Sequence, residues 1–217
     1  MTYINTQQGS GVWHENRLGN LTASKMIRAM DRKKDGSLGA KAIDLMWELV
    51  NERLSNTPAQ HFVSDAMRWG TQYEPDAKRR YTEETGREVE DCGYFIHPEN
   101  RYLGASPDGT VGRDGLLEVK CPTGITHLKW FVQPTCPPDY MAQMIMQMQC
   151  ARRQWVDFAT YDPRMPKAQQ FKCWRFEPDQ EQIDSVMDAA EDFLMRVDEL
   201  FDYITCQPKE TTAEIAQ

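Results

Sequence analysis

Apolar positions along the chain fall into three regimes. Ile43, Leu45, Met46, Leu49, Val50 and Leu54 recur at helical spacing over 40–54, which predicts an amphipathic helix. Residues 22–34 also read as a short helix, capped by Thr22 or Ser24 and followed by a basic loop through Gly39. A third helical stretch covers 64–85 with Pro75 inside it; proline has no amide donor, so it either kinks this helix or starts a second one. From 93 to 121 the pattern alternates apolar and polar and is broken by Pro98, Gly104, Pro107, Gly109, Gly112 and Asp114-Gly115. Strands are expected at 93–97, 102–105, 108–111 and 116–121, the last two a hairpin across Gly112–Gly115. A helix at 139–153, strands at 155–160 and 169–176, and a long helix at 178–204 complete the chain. Ile183, Val186, Ala190, Phe193, Leu194 and Val197 lie on the inner face of that last helix, and its acids are expected on the outer face. The order predicts an α/β domain over 1–205 with a mixed central sheet flanked by helices, and a tail at 206–217.

Charge changes this picture in one respect. The 217 residues carry a formal −8, which by itself argues against a nucleic-acid partner. Residues 178–217, however, hold eleven acids and two bases, so the remainder sums to +1. Within that remainder, Arg17, Lys25, Arg28, Arg32, Lys33, Lys34 and Lys41 face only Asp31 and Asp35 over 17–41. Phosphate needs local positive potential rather than a positive total; a solvated helix face would show the same cluster. No membrane span or signal peptide is evident, so a soluble, cytoplasmic protein is expected, and no membrane partner. Cys92, Cys121, Cys136, Cys150, Cys173 and Cys206 form no C-x-x-C pair and read as small buried hydrophobes. His14, His61, His97 and His127 are scattered and read as structural.

The densest chemistry is Ser106-Pro107-Asp108-Gly109 followed by Glu118-Val119-Lys120. Residues i and i+2 of a strand share a face, so Glu118 and Lys120 project together while Val119 points into the opposite layer. If the hairpin forms, Asp108 opens the adjacent strand and meets them at one end. Two carboxylates and a main-chain carbonyl are hard oxygen donors that suit Mg²⁺ or Mn²⁺, and an ammonium beside them could orient or deprotonate a water attacking phosphorus. A turn and an ordinary cross-strand pair would account for the same residues. Glu74 could supply a third carboxylate and Gln143 a neutral partner for water or phosphate. Arg17, just before the hydroxyls of Thr22 and Ser24, suits a terminal phosphate. Zinc-protease, P-loop, nucleophile-elbow and dinucleotide-binding motifs are missing.

Six blocks in order resemble the lambda exonuclease (YqaJ-like viral recombinase) family of the PD-(D/E)xK nucleases. They are W-H-x-x-R-L-G-x-x-T-A-S from Trp13, W-G-x-Q-Y-E from Trp69, S-P-D-G from Ser106, L-E-V-K-C-P from Leu117, Y-M-A-Q from Tyr140 and Y-D-P-R-M from Tyr161. The resemblance implies the restriction-endonuclease-like α/β core and processive 5′→3′ digestion of one strand of duplex DNA to mononucleotides, leaving a 3′ overhang for single-strand annealing. It further implies two Mg²⁺ ions, with Mn²⁺ a substitute, held by Asp108, Glu118, the Val119 carbonyl and Glu74. Lys120, helped by Gln143, would position or activate the water, and Arg17, Thr22, Ser24 and Ser106 would hold the 5′-phosphate. A homotrimeric ring around DNA, a single-strand annealing partner and a bacterial or phage-infected cell follow from the same resemblance. An endonuclease of restriction or repair type and a non-catalytic DNA-end binder are the competing readings. The segment 123–138 departs from the family pattern, and no role is assigned to His127 or Lys129 there.

Overall fold

The computed structural model describes residues 2–59 and 64–206. His61 and the tail beyond Cys206 lie outside them. A short strand β1 (Thr2–Ile4) leads into α1 (Gly11–Glu15), capped by the Ser10 hydroxyl; neither was expected from the pattern. Strand β2 (Leu21–Thr22) passes through a 3₁₀ turn into α2 (Met26–Ala29), and α3 (Ala40–Ser55) and α4 (Asp65–Thr85) follow. The expected helix at 22–34 is therefore much shorter, with no side-chain cap from Thr22. The chain folds back after Met30 because Asp31 captures Gly39: the Gly39 amide donates to the Asp31 carbonyl, Lys41 N to its carboxylate, and Arg32 bridges Leu38.

Strands β3 (Tyr94–Ile96), β4 (Leu103–Ala105), β5 (Gly109–Val111) and β6 (Gly115–Lys120) carry the middle of the chain. The β5–β6 hairpin turns at Gly112, whose φ of +56° suits a residue without Cβ. Helix α5 (Gly124–Phe131) follows, where prolines and a threonine gave no helical signal, and then α6 (Met141–Ala151). Strands β7 (Trp155–Tyr161) and β8 (Phe171–Phe176) precede α7 (Gln180–Thr205), which opens with an Asp179/Gln182 capping box.

The central sheet is split into two mixed four-stranded sheets, ordered β1-β3-β4-β2 and β5-β6-β7-β8. Ser106-Pro107-Asp108 is the link that carries the chain from β4 in one to β5 in the other. In the second sheet β6 runs parallel to β7 and pairs antiparallel with β5. Its side chains alternate as the period of two requires. Leu116 joins the main core with Phe158 and Trp174 under α2, α3, α6 and α7, whereas Leu117 and Val119 pack with Ala77 and Tyr81 of α4 on the other face.

Packing refines the expectations about charge and corrects one about thiols. The acids of α7 do lie on its outer face, opposite buried Val186, Ala190, Phe193, Leu194 and Val197, but two of them are not left to solvent alone: Asp192 pairs with Arg32 and Asp198 with Arg53. Lys25 and Arg28 are likewise paired with Glu48, so much of the basic cluster is neutralised internally. Four cysteines are buried as expected and Cys173 is half-buried, but Cys206 is exposed beyond the end of the α7 inner face.

Candidate active site

The site forms where the two sheets meet. Glu118 is 1 % exposed, on the face of β6 that meets α6, and accepts three hydrogen bonds there. Lys120 Nζ reaches Glu118 Oε1 at 2.5 Å, Gln143 Nε2 the same oxygen at 2.6 Å, and Gln147 Nε2 reaches Oε2 at 2.6 Å. Gln143 and Gln147 are one helical turn apart and so line one side of α6. Gln147 was not foreseen, although its i+4 spacing from Gln143 was the available signal. Its Oε1 has no partner among the described residues.

Asp108 stands at the edge of β6, where the ladder with β5 ends. Its Oδ2 accepts from Val119 N at 2.6 Å. The amide and carbonyl of one strand residue point to the same side, so the Val119 carbonyl also faces the Asp108 side of β6. Burial, reinforced by Glu118 and then opposed by Lys120, pushes the Asp108 carboxyl well above the usual carboxylate value. For Lys120, burial works against the ammonium, but Glu118 and Asp108 outweigh it and raise its pKa, so it is held protonated. Asp108, Val119 and Lys120 line a cavity of 350 Å³ together with Glu74 and Tyr140.

Glu74 is on α4, which continues through Pro75 unbroken rather than restarting there. Its carboxylate is paired with Lys78 at 2.9 Å, and it lines the cavity without entering a tight cluster. Among the described residues, no three His, Cys, Asp or Glu side chains converge as a ready-made metal cage. The hard oxygen donors gathered here are two carboxylates and a main-chain carbonyl, with Glu74 at the rim.

A second group sits beside Ser106, two residues before Asp108. The Ser106 hydroxyl accepts from Trp13 Nε1 at 2.8 Å and from Arg17 at 3.4 Å, and the Arg17 guanidinium stacks over the Trp13 ring at 3.9 Å. Among the described residues Arg17 makes no ion pair. Burial pulls its pKa below the usual guanidinium value, against the influence of Tyr94 and Glu52. A half-buried guanidinium without a carboxylate partner keeps its charge available to an anion. Thr22 pairs with Gly104 in the parallel β2–β4 ladder, which brings Thr22 and Ser24 to the Ser106 end of β4. Their hydroxyls are 3.5 Å apart, and no contact with Arg17 is described. The four-residue α2 offers little of the helix dipole expected of a longer segment.

His127 is fully buried and structural. Its Nε2 faces the Gln169 carbonyl at 2.7 Å and so carries the proton, leaving Nδ1 to accept from Thr160 Oγ1 at 3.0 Å.

Comparison with known proteins places the chain in a family. Residues 12–154 match the YqaJ-like viral recombinase domain. The chain belongs to the YqaJ-like viral recombinase family. All ten site residues named above from the sequence, Arg17 to Gln143, lie inside the matched stretch of this family, as does Gln147. The structure is similar to that of an alkaline exonuclease (LHK-Exo) from Laribacter hongkongensis, with a TM-score of 0.84 and 36 % identity over 91 % of this chain and 97 % of that one. The same enzyme in complex with dAMP matches equally. A phage related exonuclease from Haemophilus somnus 129PT, 14 % identical over 85 % of this chain and 96 % of that one, has the same fold at a TM-score of 0.68. No functionally curated protein matches the chain. No described helix is long and apolar enough to cross a membrane.

Proposed function

We propose that this protein is a divalent-metal-dependent exonuclease that digests the 5′-ended strand of duplex DNA to mononucleotides in the 5′→3′ direction. The observation that carries this reading is the meeting of Asp108, Glu118 and Lys120 at the seam of the sheets, beside the unpaired guanidinium of Arg17. The Laribacter relative supports it by its name, and its complex with dAMP supports a mononucleotide product.

The donors present fit a divalent cation. Asp108 Oδ1 makes no hydrogen bond among the described residues, the Val119 carbonyl faces the same space, and two carboxylates there are balanced by one lysine. Such an excess of buried negative charge is costly until a cation joins it. Asp108, Glu118 and the Val119 carbonyl would hold Mg²⁺, or Mn²⁺ in its place, with Glu74 assisting. When bound, the cation would supply Lewis-acid stabilisation of developing negative charge. Lys120, protonated and anchored by Glu118, donates toward the attacking water or the phosphoryl oxygen. Gln143 keeps Glu118 in place, and its amide oxygen orients the water. Arg17 and Ser106, with Thr22 and Ser24, grip the 5′-phosphate, so the scissile bond falls one nucleotide inward.

A two-ion site, a homotrimeric ring on DNA, a 3′ overhang handed to a single-strand annealing protein and work in the cytoplasm of a bacterial or phage-infected cell belong to the same proposal. Duplex labelled at the 5′ or the 3′ end, with or without a 5′-phosphate, tests it. Labelled mononucleotide is expected first from the phosphorylated 5′ end; early release from the 3′ end would overturn the polarity.

A further inference from the structure

Residues 5–8 join β1 to α1, precede the stretch matched by the family model, and have no part in the reaction above. They are nevertheless pinned to the site. Gln8 Nε2 donates to two main-chain carbonyls, Cys92 at 3.1 Å and Pro107 at 2.8 Å. The Tyr3 hydroxyl accepts from Gly93 N at 3.0 Å, and β1 is laddered to β3. With Trp13 and Arg17 closing on Ser106, the arm lies along the whole Ser106-Pro107-Asp108 link.

Between arm and link is a cavity of 490 Å³, walled by Asn5, Gln7 and Gln8 of the arm and by Asp108 of the link, with Glu74, Lys78 and Asp91 completing its lining. Its size falls in the ~300–1,000 Å³ range of small-molecule sites. The charges beyond Asp108 are satisfied, since Lys78 bridges Glu74 at 2.9 Å and Asp91 at 3.0 Å. Ser106 and Asp108 are two residues apart, so their Cα atoms are separated by at most about 7 Å. That leaves room for one sugar-phosphate unit between a phosphate gripped at Ser106 and one attacked at Asp108. The base on that unit must leave the line joining the two points, and the cavity adjoins that line at Asp108. The side chains of Asn5 and Gln7 are exposed, and each amide offers both donor and acceptor. Such groups meet the polar edge of any of the four bases, as stripping a strand without sequence choice requires.

We propose that this cavity seats the 5′-terminal nucleoside, with Asn5 and Gln7 meeting its base and Gln8 fixing the arm; the inference rests on the exonuclease reading. The test is first-turnover release, by the full chain with Mg²⁺, from 5′-phosphorylated duplexes whose terminal nucleotide is intact or abasic. The unsubstituted protein should release the abasic unit about fivefold more slowly, the worth of about one hydrogen bond. Asn5→Ala/Gln7→Ala should lower the intact rate to the abasic one, closing the ratio to near one, and Gln8→Ala should narrow it through the arm. Equal rates in the unsubstituted protein, or a ratio unchanged by Asn5→Ala/Gln7→Ala, would overturn the seat while leaving mononucleotide release intact. Release from neither duplex would overturn the exonuclease reading itself.

Discussion

Lys120 is tied to Glu118, which Gln143 and Gln147 of α6 also hold, so the ammonium cannot drift far from the cavity. Lys120→Ala removes that charge from the place where phosphoryl charge develops. Mononucleotide release should fall by roughly 10²–10³-fold, the usual cost of losing one preorganised donor, while binding to duplex ends persists. A variant within threefold of the parent would exclude the assignment. Asp108 makes a different prediction. Its carboxyl is pushed up by burial and by Glu118, so in the folded state it binds a proton more tightly than in the unfolded chain. The metal-free protein should therefore lose stability as pH rises from the usual carboxylate range through the raised value. Asp108→Asn should remove this loss, raising the metal-free melting temperature at pH 8 by about 2–4 °C if the strain is worth about 1 kcal/mol. The same substitution should abolish stabilisation by Mg²⁺. Differential scanning calorimetry with and without the ion reads both effects, and a lowered metal-free midpoint would contradict the account.

At the scale of elements, α4 is a 21-residue helix with a proline in its middle turns. Pro75 has no amide, so the Thr71 carbonyl lacks its i+4 donor. Pro75→Ala should restore that bond and stabilise the fold by about 1–3 kcal/mol, seen as a higher thermal midpoint. A lower midpoint would mean that the ring is packed where alanine leaves a void. Elements with a strong internal period were legible beforehand: α3, α7 and the alternating β6, on which the placement of Glu118 and Lys120 depends. Elements set by long-range contacts were not. Helix α5 is held from its inner face by His127, whose partners Thr160 and Gln169 are 33 and 42 residues away. The shortening of α2 depends on Asp31 capturing Gly39 and Lys41, a loop closure that periodicity cannot reveal. The convergence of Asp108, Glu118, Lys120 and Gln143 was legible because these four lie on or beside one hairpin and one helix, whereas Glu74, Arg17, Thr22 and Ser24 come from other elements. Gln147 and the arm residue Gln8 escaped because each matters only through a carboxylate or carbonyl remote in the chain.

For the whole molecule, charge is organised more locally than its linear distribution implies. Arg32 and Arg53 are drawn to α7, and Lys25 and Arg28 to Glu48, which leaves Lys33, Lys34 and Lys41 exposed on and beside the 31–39 loop. If this loop tracks the DNA backbone, Lys33→Glu/Lys34→Glu should weaken duplex binding and reduce the slope of log affinity against log salt by about two. An unchanged slope would place DNA on another face. The proposed grip on a terminal phosphate also distinguishes the exonuclease reading from an endonuclease, because such a grip has nothing to hold in a closed circle. The most direct measurement is an Mg²⁺ titration of nucleotide release from linear 5′-phosphorylated duplex and from closed circular duplex, with the parent protein and Asp108→Asn in parallel. The account predicts metal-dependent mononucleotides from the linear DNA alone, and none with Asp108→Asn. Nicking of the circle, or release that continues without Asp108 or without metal, would contradict it.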